Sequence, residues 1–493
     1  ALKLYAFNAI IVCNTITGGS TMPINSFENY PMSWKPNKTQ LKTPIYLSIA
    51  NLLEYDIVNG YLAPNTKLPP QRELADYLDI NLSTITRAFK ICELKGLIYG
   101  TTGRGTFVSP NAGSIISISD CRTEKSYIEM GIIKPFDQNN SLVVNTAKSV
   151  LSKGYAEKLL DYTYPLGTPY HKSAAKKWLK KYNIDADIEN IAITSGAQNA
   201  LAVILISLFH SGDKIAVDVY TYPNFIELAN MLDIQLIPIK GDNVGMKPEE
   251  LDAQCKLNNI QGIYLMPSCS NPTGTLMNME RKQELAEIIK KNNLLLIEDD
   301  IYYFLNPENY ISITSFVPEQ SIYINSISKS LCSGIRVAFI VYPGKYSENI
   351  TRGIYNINLK TSALNVEIIA EMINTGIADQ IVEDKISASK ERNQIYKRYF
   401  KIENSNENPV SLFRWLPLKQ KFNANQFEKD ALEQGIHIYH SDRFLVGNYK
   451  EKQFLRVALS SANNSDELGK GLAILKNILS GKTDKTNINS LII

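Results

Sequence analysis

The segment SISKSLCSGIR, from Ser326 to Arg336, sets Lys329 among hydroxyls directly after an apolar run, with an arginine seven residues on. IEDDIYYFL, from Ile297 to Leu305, ends another apolar run in consecutive acids, Asp299 and Asp300, with Tyr302 three residues after the first. TSGAQNALAVILISL, from Thr194 to Leu208, opens a helix on small residues, so backbone N–H groups at its N-terminus can meet a phosphate. Asn271 sits in SNPTG. Each feature alone has a plain reading: a solvated loop lysine, a strand-end acid, a helix cap. Together they meet a stricter demand. A lysine for a Schiff base, a carboxylate that keeps a ring nitrogen protonated, a phosphate cradle and a plane for the ring are what pyridoxal 5'-phosphate needs from a protein.

Composition narrows the setting. The chain has 493 residues, 44% hydrophobic and 20% charged, the profile of a globular protein with two or more buried cores. No apolar run reaches the roughly 18 residues of a membrane span. Six cysteines, at 13, 92, 121, 255, 269 and 332, show no paired spacing, which fits a reducing, cytoplasmic setting. Cys269 and Cys332 lie near the motifs above but without a general base, so they read as packing thiols. His437 and His440 lack a third ligand, so no metal is expected. Net charge is only +3. Residues 40–110 hold seven Lys or Arg against six Asp or Glu, so any nucleic-acid binding there rests on a few placed cations.

The chemistry-bearing residues need elements to hold them. From about residue 130 onward, short apolar runs (IENIAIT, DKIAVDV, IQGIYLMP, NNLLLIED, QSIYINSIS, RVAFIVY) alternate with helical patterns. That alternation predicts an α/β domain with a mostly parallel sheet. Ahead of it, PIYLSIANLLEYDIVNG carries Ile45, Ile49, Leu52, Leu53 and Ile57 on one helical stripe ending at Gly60. LPPQRELADYL and STITRAFKICELKGL read as two further helices separated at Asp79-Ile80-Asn81, and YGTTGRGTFVS as a hairpin turning at Gly103 and Gly105. Helix, helix, turn, helix and hairpin is the order of a winged helix-turn-helix. Its third helix would offer Ser83, Thr84, Thr86 and Arg87 to a major groove, and the hairpin tip Arg104 to a minor groove or a phosphate. A protein-interaction module is the plainer reading of the same pattern.

From Pro44 to Val108 the match to the GntR-type winged helix is continuous through PQRELADYLDINLSTITRAFKICELKGLIYGTTGRGTFV. The resemblance implies DNA contacts by Arg72, Arg87 and Arg104. Asn81-Leu82 departs from the Ser/Thr-Arg pair common at that helix start. Residues 130–480 resemble the fold-type I aminotransferases: a large α/β domain and a smaller C-terminal α+β domain. Carried over by motif, that resemblance makes Lys329 the residue that bonds the cofactor, Asp299 the partner of its pyridine nitrogen, and Tyr302 and Asn271 the partners of its ring hydroxyl. Tyr222, in YTYPNF, would stack on the ring. Gly196, Ala197, Gln198, Ser326, Ser328 and Arg336 would hold the phosphate. Arg456, in QFLRVALS, would grip a carboxylate bidentately, and Tyr162 would reach the phosphate of a neighbouring subunit in a homodimer. Ser333 stands where proline is usual, and Pro169-Tyr170-His171-Lys172 replaces a common Leu-Arg pair.

A GntR-type winged helix ahead of an aminotransferase-like domain resembles the MocR subfamily of bacterial regulators. The resemblance implies a transcription regulator that binds double-stranded promoter DNA and senses pyridoxal phosphate or a small amine or amino-acid effector. An active aminotransferase with an accessory DNA-binding domain is the alternative. The expected boundaries are an extension at 1–40, disordered or of artificial origin and a poor signal peptide; the winged helix at 41–110; a linker at 111–130; the aminotransferase-like domain at 131–480; and a frayed tail at 481–493.

Overall fold

The computed structural model describes residues 32–481 apart from 59, 102–103, 110–126, 163, 307–308, 403, 420–421 and 448–451. The expected tail beyond residue 481, the first 31 residues and most of the expected linker lie outside the described residues.

The N-terminal unit contains α1 (Ile45–Val58), α2 (Gln71–Leu78), α3 (Leu82–Leu94) and the antiparallel hairpin β1 (Ile98–Thr101) and β2 (Gly105–Val108). The α2–α3 turn forms where the sequence breaks. Asp79 takes a left-handed conformation (φ 57°) at the end of α2, and the Asn81 side chain accepts a hydrogen bond from the Ser83 N–H at 2.8 Å, capping α3. Ile49, Leu53, Leu74, Ile85, Ala88 and Cys92 form the fully buried centre.

Two boundaries differ from the expectation. Trp34, assigned above to the extension, is 4% exposed in the winged-helix core, and its Nε1–H donates to Asp56 at 2.8 Å. One large aromatic among polar neighbours gives no periodicity, so the sequence did not signal it. The linker was expected to run to 130, yet β3 (Ile128–Glu129) already pairs and Met130 is fully buried.

The second unit is built on seven strands: β4 (Ile191–Thr194), β5 (Lys214–Asp218), β6 (Gln235–Ile239), β7 (Gly262–Leu265), β8 (Leu295–Asp299), β9 (Ser321–Ser326) and β10 (Ala338–Val341). Their order is β4-β10-β9-β8-β7-β5-β6, and β10 alone among them runs antiparallel to its neighbours. Buried on both faces, the parallel strands read as unbroken apolar runs. β10 is reversed because only residues 327–337 connect it to β9, too few for the crossover a parallel return requires. The C-terminal ends of β4, β8 and β9 therefore open on one edge, where Thr194, Asp299 and Ser326 end their strands.

A smaller unit contains β11 (Phe413–Pro417), β12 (Ile436–His437), β13 (Tyr439–His440) and β14 (Phe454–Ala458), with β11-β14-β13 as one sheet and β12 paired in parallel with β3. The long helix Ile377–Tyr399 packs against both Ala363–Thr375 and Ser465–Leu479. Buried Arg414 donates to Glu407 at 2.8 Å and Asn393 at 2.7 Å, and holds the loop whose Asn408 N–H donates to Gly274 O at 2.8 Å in the SNPTG turn. Among the described residues no helix is long and apolar enough to cross a membrane.

Replacing Trp34 with Ala removes a buried aromatic and its hydrogen bond, so the opening free energy of α1–α3 should fall by about 3–5 kcal/mol. Native-state hydrogen exchange on the full chain checks this. Exchange in the seven-stranded sheet should not change, and unaltered protection of α1–α3 would remove Trp34 from the core of the unit.

Candidate functional site

Lys329 follows β9 in the one-turn helix Ile327–Ser330, which Ser326 caps by accepting the Ser328 N–H. Its Nζ donates to the Ile133 carbonyl. Burial, followed by the charges of Arg456, Lys385 and Arg336, pulls its pKa down to about 7. Lys385, itself buried, donates to the carbonyls of Lys329 and Leu331.

Asp299 is 2% exposed, and only one of its oxygens is bonded: Tyr264 donates to Oδ2 at 2.9 Å, while Oδ1 has no partner. Burial raises its pKa to about 6, against the lowering effect of the Tyr264 bond. A buried oxygen left unpaired costs about 1–3 kcal/mol, so the position is suited to a cationic N–H donor from outside the chain. Tyr264 is held flat against Phe225, with ring centroids 3.8 Å apart.

At the head of helix Ala197–Leu208, Gly196 has φ +89°, and a Cβ there would lie 2.6 Å from Arg336 Nη2. Arg336 also donates to Ser328 Oγ at 3.1 Å. These contacts bring a helix N-terminus, the Ser328 hydroxyl and an exposed arginine to one spot, an arrangement suited to a phosphate. Gln198 lies in the first turn; its amide donates to Asn224 O at 3.3 Å, and its Oε1 has no partner.

Arg456 is 1% exposed between Phe444 and Tyr439; Nη1 donates to Asn271 Oδ1 at 2.8 Å, Nη2 to Gly131 O at 2.6 Å, and Nε has no partner. Tyr302 is buried beside Phe413, and Tyr222 lies within range of the charges of Asp299, Arg456 and Arg336, its pKa pushed by burial up to about 12. Tyr162 does not join this group: it is 86% exposed, with Lys360 6.0 Å from its ring. Tyr264, Lys385, Glu129 and the carbonyls of Gly131 and Ile133 escaped sequence reasoning, and His437 entered it only as a metal ligand set aside. Only Tyr264 carried a signal, a hydroxyl in the wholly buried strand β7.

On the winged helix, Arg72, Ser83, Thr86, Arg87 and Arg104 are exposed and Thr84 is half-buried. The Arg87 guanidinium lies 3.9 Å from the centre of the Tyr46 ring. Thr86 donates to Gln71 at 2.8 Å, which adds Gln71 to this face. Asn81, Leu82, Ser83, Thr86, Arg87 and Lys90 line a shallow, open surface along α3. His437 is paired with Glu129, and no group of three or more potential metal ligands occurs among the described residues.

Residues 128–473 match the family of class I and II aminotransferases, and residues 45–108 match the GntR family of bacterial regulatory proteins. The Bacillus subtilis (strain 168) uncharacterized HTH-type transcriptional regulator YdeF is 41% identical over 462 residues, covering 94% of this chain and 100% of its own. The chain belongs to the family that joins a GntR-type domain to an aminotransferase domain. The HTH-type transcriptional regulator NorG of Staphylococcus aureus (strain N315) is 26% identical over 64% of this chain and 76% of its own. Among solved structures, an archaeal alanine:glyoxylate aminotransferase shares the fold at a TM-score of 0.68 and 23% identity, over 72% of this chain and 91% of its own. LysN, the α-aminoadipate aminotransferase of Thermus thermophilus, complexed with N-(5'-phosphopyridoxyl)-L-leucine, does so at 0.66 and 20%, over 75% and 94%. The N-terminal unit is thus a GntR-type DNA-binding domain, and the rest is an aminotransferase-like domain of a pyridoxal-phosphate-dependent family.

Only the neutral amine of Lys329 is nucleophilic. The rate of borohydride-trapped attachment of pyridoxal phosphate to Lys329 should therefore rise as pH passes through about 7, then level off. Peptide mapping of the trapped label checks this; a rate still climbing near the ordinary lysine value of about 10.4 would contradict it.

Proposed function

We propose that the protein is a transcription regulator whose winged helix binds double-stranded promoter DNA and whose aminotransferase-like domain binds pyridoxal 5'-phosphate and senses an amine or amino acid, acting as a cytoplasmic homodimer. The observation that carries the reading is the buried, half-bonded Asp299 carboxylate, which acts on Tyr222 together with Arg456 and Arg336, the two arginines that also act on Lys329, in a chain that carries an exposed third helix in its winged helix.

The residues fit the cofactor. Lys329 would bond its aldehyde carbon, and the free Oδ1 of Asp299 would hold the pyridine N–H while Tyr264 fixes Oδ2. Tyr222 would cover the ring, and Tyr302 with the Asn271 amide would meet its hydroxyl. Gly196, Ala197, Gln198, Ser326, Ser328 and Arg336 would cradle the phosphate, with Tyr162 of each subunit reaching towards the other's site. Once bound, the group supplies an electron sink for an attached amine. Arg456 offers the unpartnered Nε–H to a carboxylate in a site from which water is largely excluded, where a charge-assisted hydrogen bond is strongest.

An effector changes DNA binding only if it favours one of two conformations; a tenfold change in DNA affinity needs about 1.4 kcal/mol of coupling. The competing reading, an active aminotransferase with an accessory DNA-binding domain, draws on the same Lys329, Asp299 and Arg456. The two separate by experiment. The full chain should bind its own promoter region with steep salt dependence, and Arg87→Ala should weaken specific binding by about 1–3 kcal/mol if Arg87 reads a base. Candidate amino acids should alter promoter affinity in the wild type but not in Arg456→Ala. Sustained turnover of an amino donor and a keto acid, with DNA affinity unmoved, would assign the protein to the enzymes.

A further inference from the structure

Beyond β3 and Met130, four successive carbonyls each accept a hydrogen bond from a side chain: Gly131 from Arg456, Ile132 from Ser461, Ile133 from Lys329 and Lys134 from Ser460. Two of those donors are the cations of the pocket. The short segment from 131 to 134 therefore shares its placement with both.

The bend that aims these carbonyls is formed by Glu129. Its carboxylate is 4% exposed, and Oε1 accepts the Gly131 and Ile132 N–H groups, both at 2.9 Å. His437 Nδ1 lies 2.9 Å from the same oxygen and 3.1 Å from Oε2, so it grips the carboxylate from β12. The backbone is pinned on both sides: Ile128 N donates to Gly435 O at 2.8 Å, Met130 N to His437 O at 2.8 Å, and Ala458 N to Met130 O at 2.7 Å. Gly131 is hemmed in as well, since a Cβ there would lie 3.3 Å from the Tyr439 ring.

Arg456 completes the chain of contacts. Asn271 takes an Nη1 hydrogen and Gly131 an Nη2 hydrogen, which leaves the buried Nε–H without a protein acceptor. We propose that Glu129, gripped by His437, is a positioning residue for the carboxylate of the effector. By fixing Gly131 it fixes the rotation of the Arg456 guanidinium, so that Nε and the remaining Nη hydrogens face the ligand. This inference rests on the reading of Arg456 as the carboxylate partner.

The test uses the full-length chain and two reduced conjugates that need no reaction at Lys329: N-(5'-phosphopyridoxyl)-L-leucine and its decarboxylated counterpart. Calorimetry gives the ratio of their dissociation constants, which isolates the carboxylate. Wild type should prefer the carboxylated conjugate, and Arg456→Ala should bring the ratio close to one. Glu129→Ala and His437→Leu should each cut the preference by roughly tenfold, while affinity for the decarboxylated conjugate stays within about twofold. His437→Asn, whose amide can donate where Nδ1 does, should restore most of the preference. If Arg456→Ala abolishes the preference but both Glu129→Ala and His437→Leu retain it, the positioning role is wrong and the reading of Arg456 stands. Equal weakening of both conjugates by Glu129→Ala and His437→Leu would reduce the pair to structural support and also overturn the proposal. A preference that survives Arg456→Ala would sink the reading of the site itself.

Discussion

Positive charge crowded into a buried site is the constraint on which much of this structure depends. Burial above all, and then the charges of Arg456, Lys385 and the more exposed Arg336, disfavour the ammonium form of Lys329. Cations in such a place must find acceptors, and the protein supplies them mainly from backbone. Carbonyls of Gly131, Ile133, Lys329 and Leu331, together with Asn271 and Ser328, absorb the donors. The same excess suits the pocket to an anionic ligand. A ligand with a phosphate at one end and a carboxylate at the other, as proposed above, would relieve that repulsion.

The seven-stranded sheet turns that constraint into geometry. Parallel strands direct their C-terminal ends to one edge, so residues far apart in sequence arrive together there. The single reversed strand β10 returns the chain directly after Lys329 and keeps Arg336 beside Ser328 and Gly196. Asp299, at the end of the central strand β8, is buried deeply enough that its unbonded oxygen calls for a donor that no described residue provides.

What the sequence made legible follows from distance along the chain. Lys329, Asp299, Asn271 and Gly196 sit in compact motifs where the residue type and its immediate neighbours state the chemistry, and the three-helix order of the winged helix is written in local periodicity. Asn81, a departure from its family's usual residue, keeps the capping role, while Leu82 beside it changes the exposed surface. Glu129 and His437 carry no such mark. They are 308 positions apart, each is ordinary among its neighbours, and only the parallel pairing of β3 with β12 brings them together. Trp34 and Lys385 escaped for the same reason, because their partners lie on other elements.

That pairing also orders events during synthesis. The winged helix has all of its strands and helices once Val108 has been made, so it can fold while the remainder is still being translated. β3 cannot. Its parallel partner follows about three hundred residues later, an interval of roughly fifteen seconds to a minute at typical elongation rates. Throughout that time Ile128 and Met130 leave the ribosome without the surfaces that will cover them. The nascent chain thus carries a folded DNA-binding domain followed by a strand waiting for its mate, and the smaller domain closes only as the last fifth of the protein emerges.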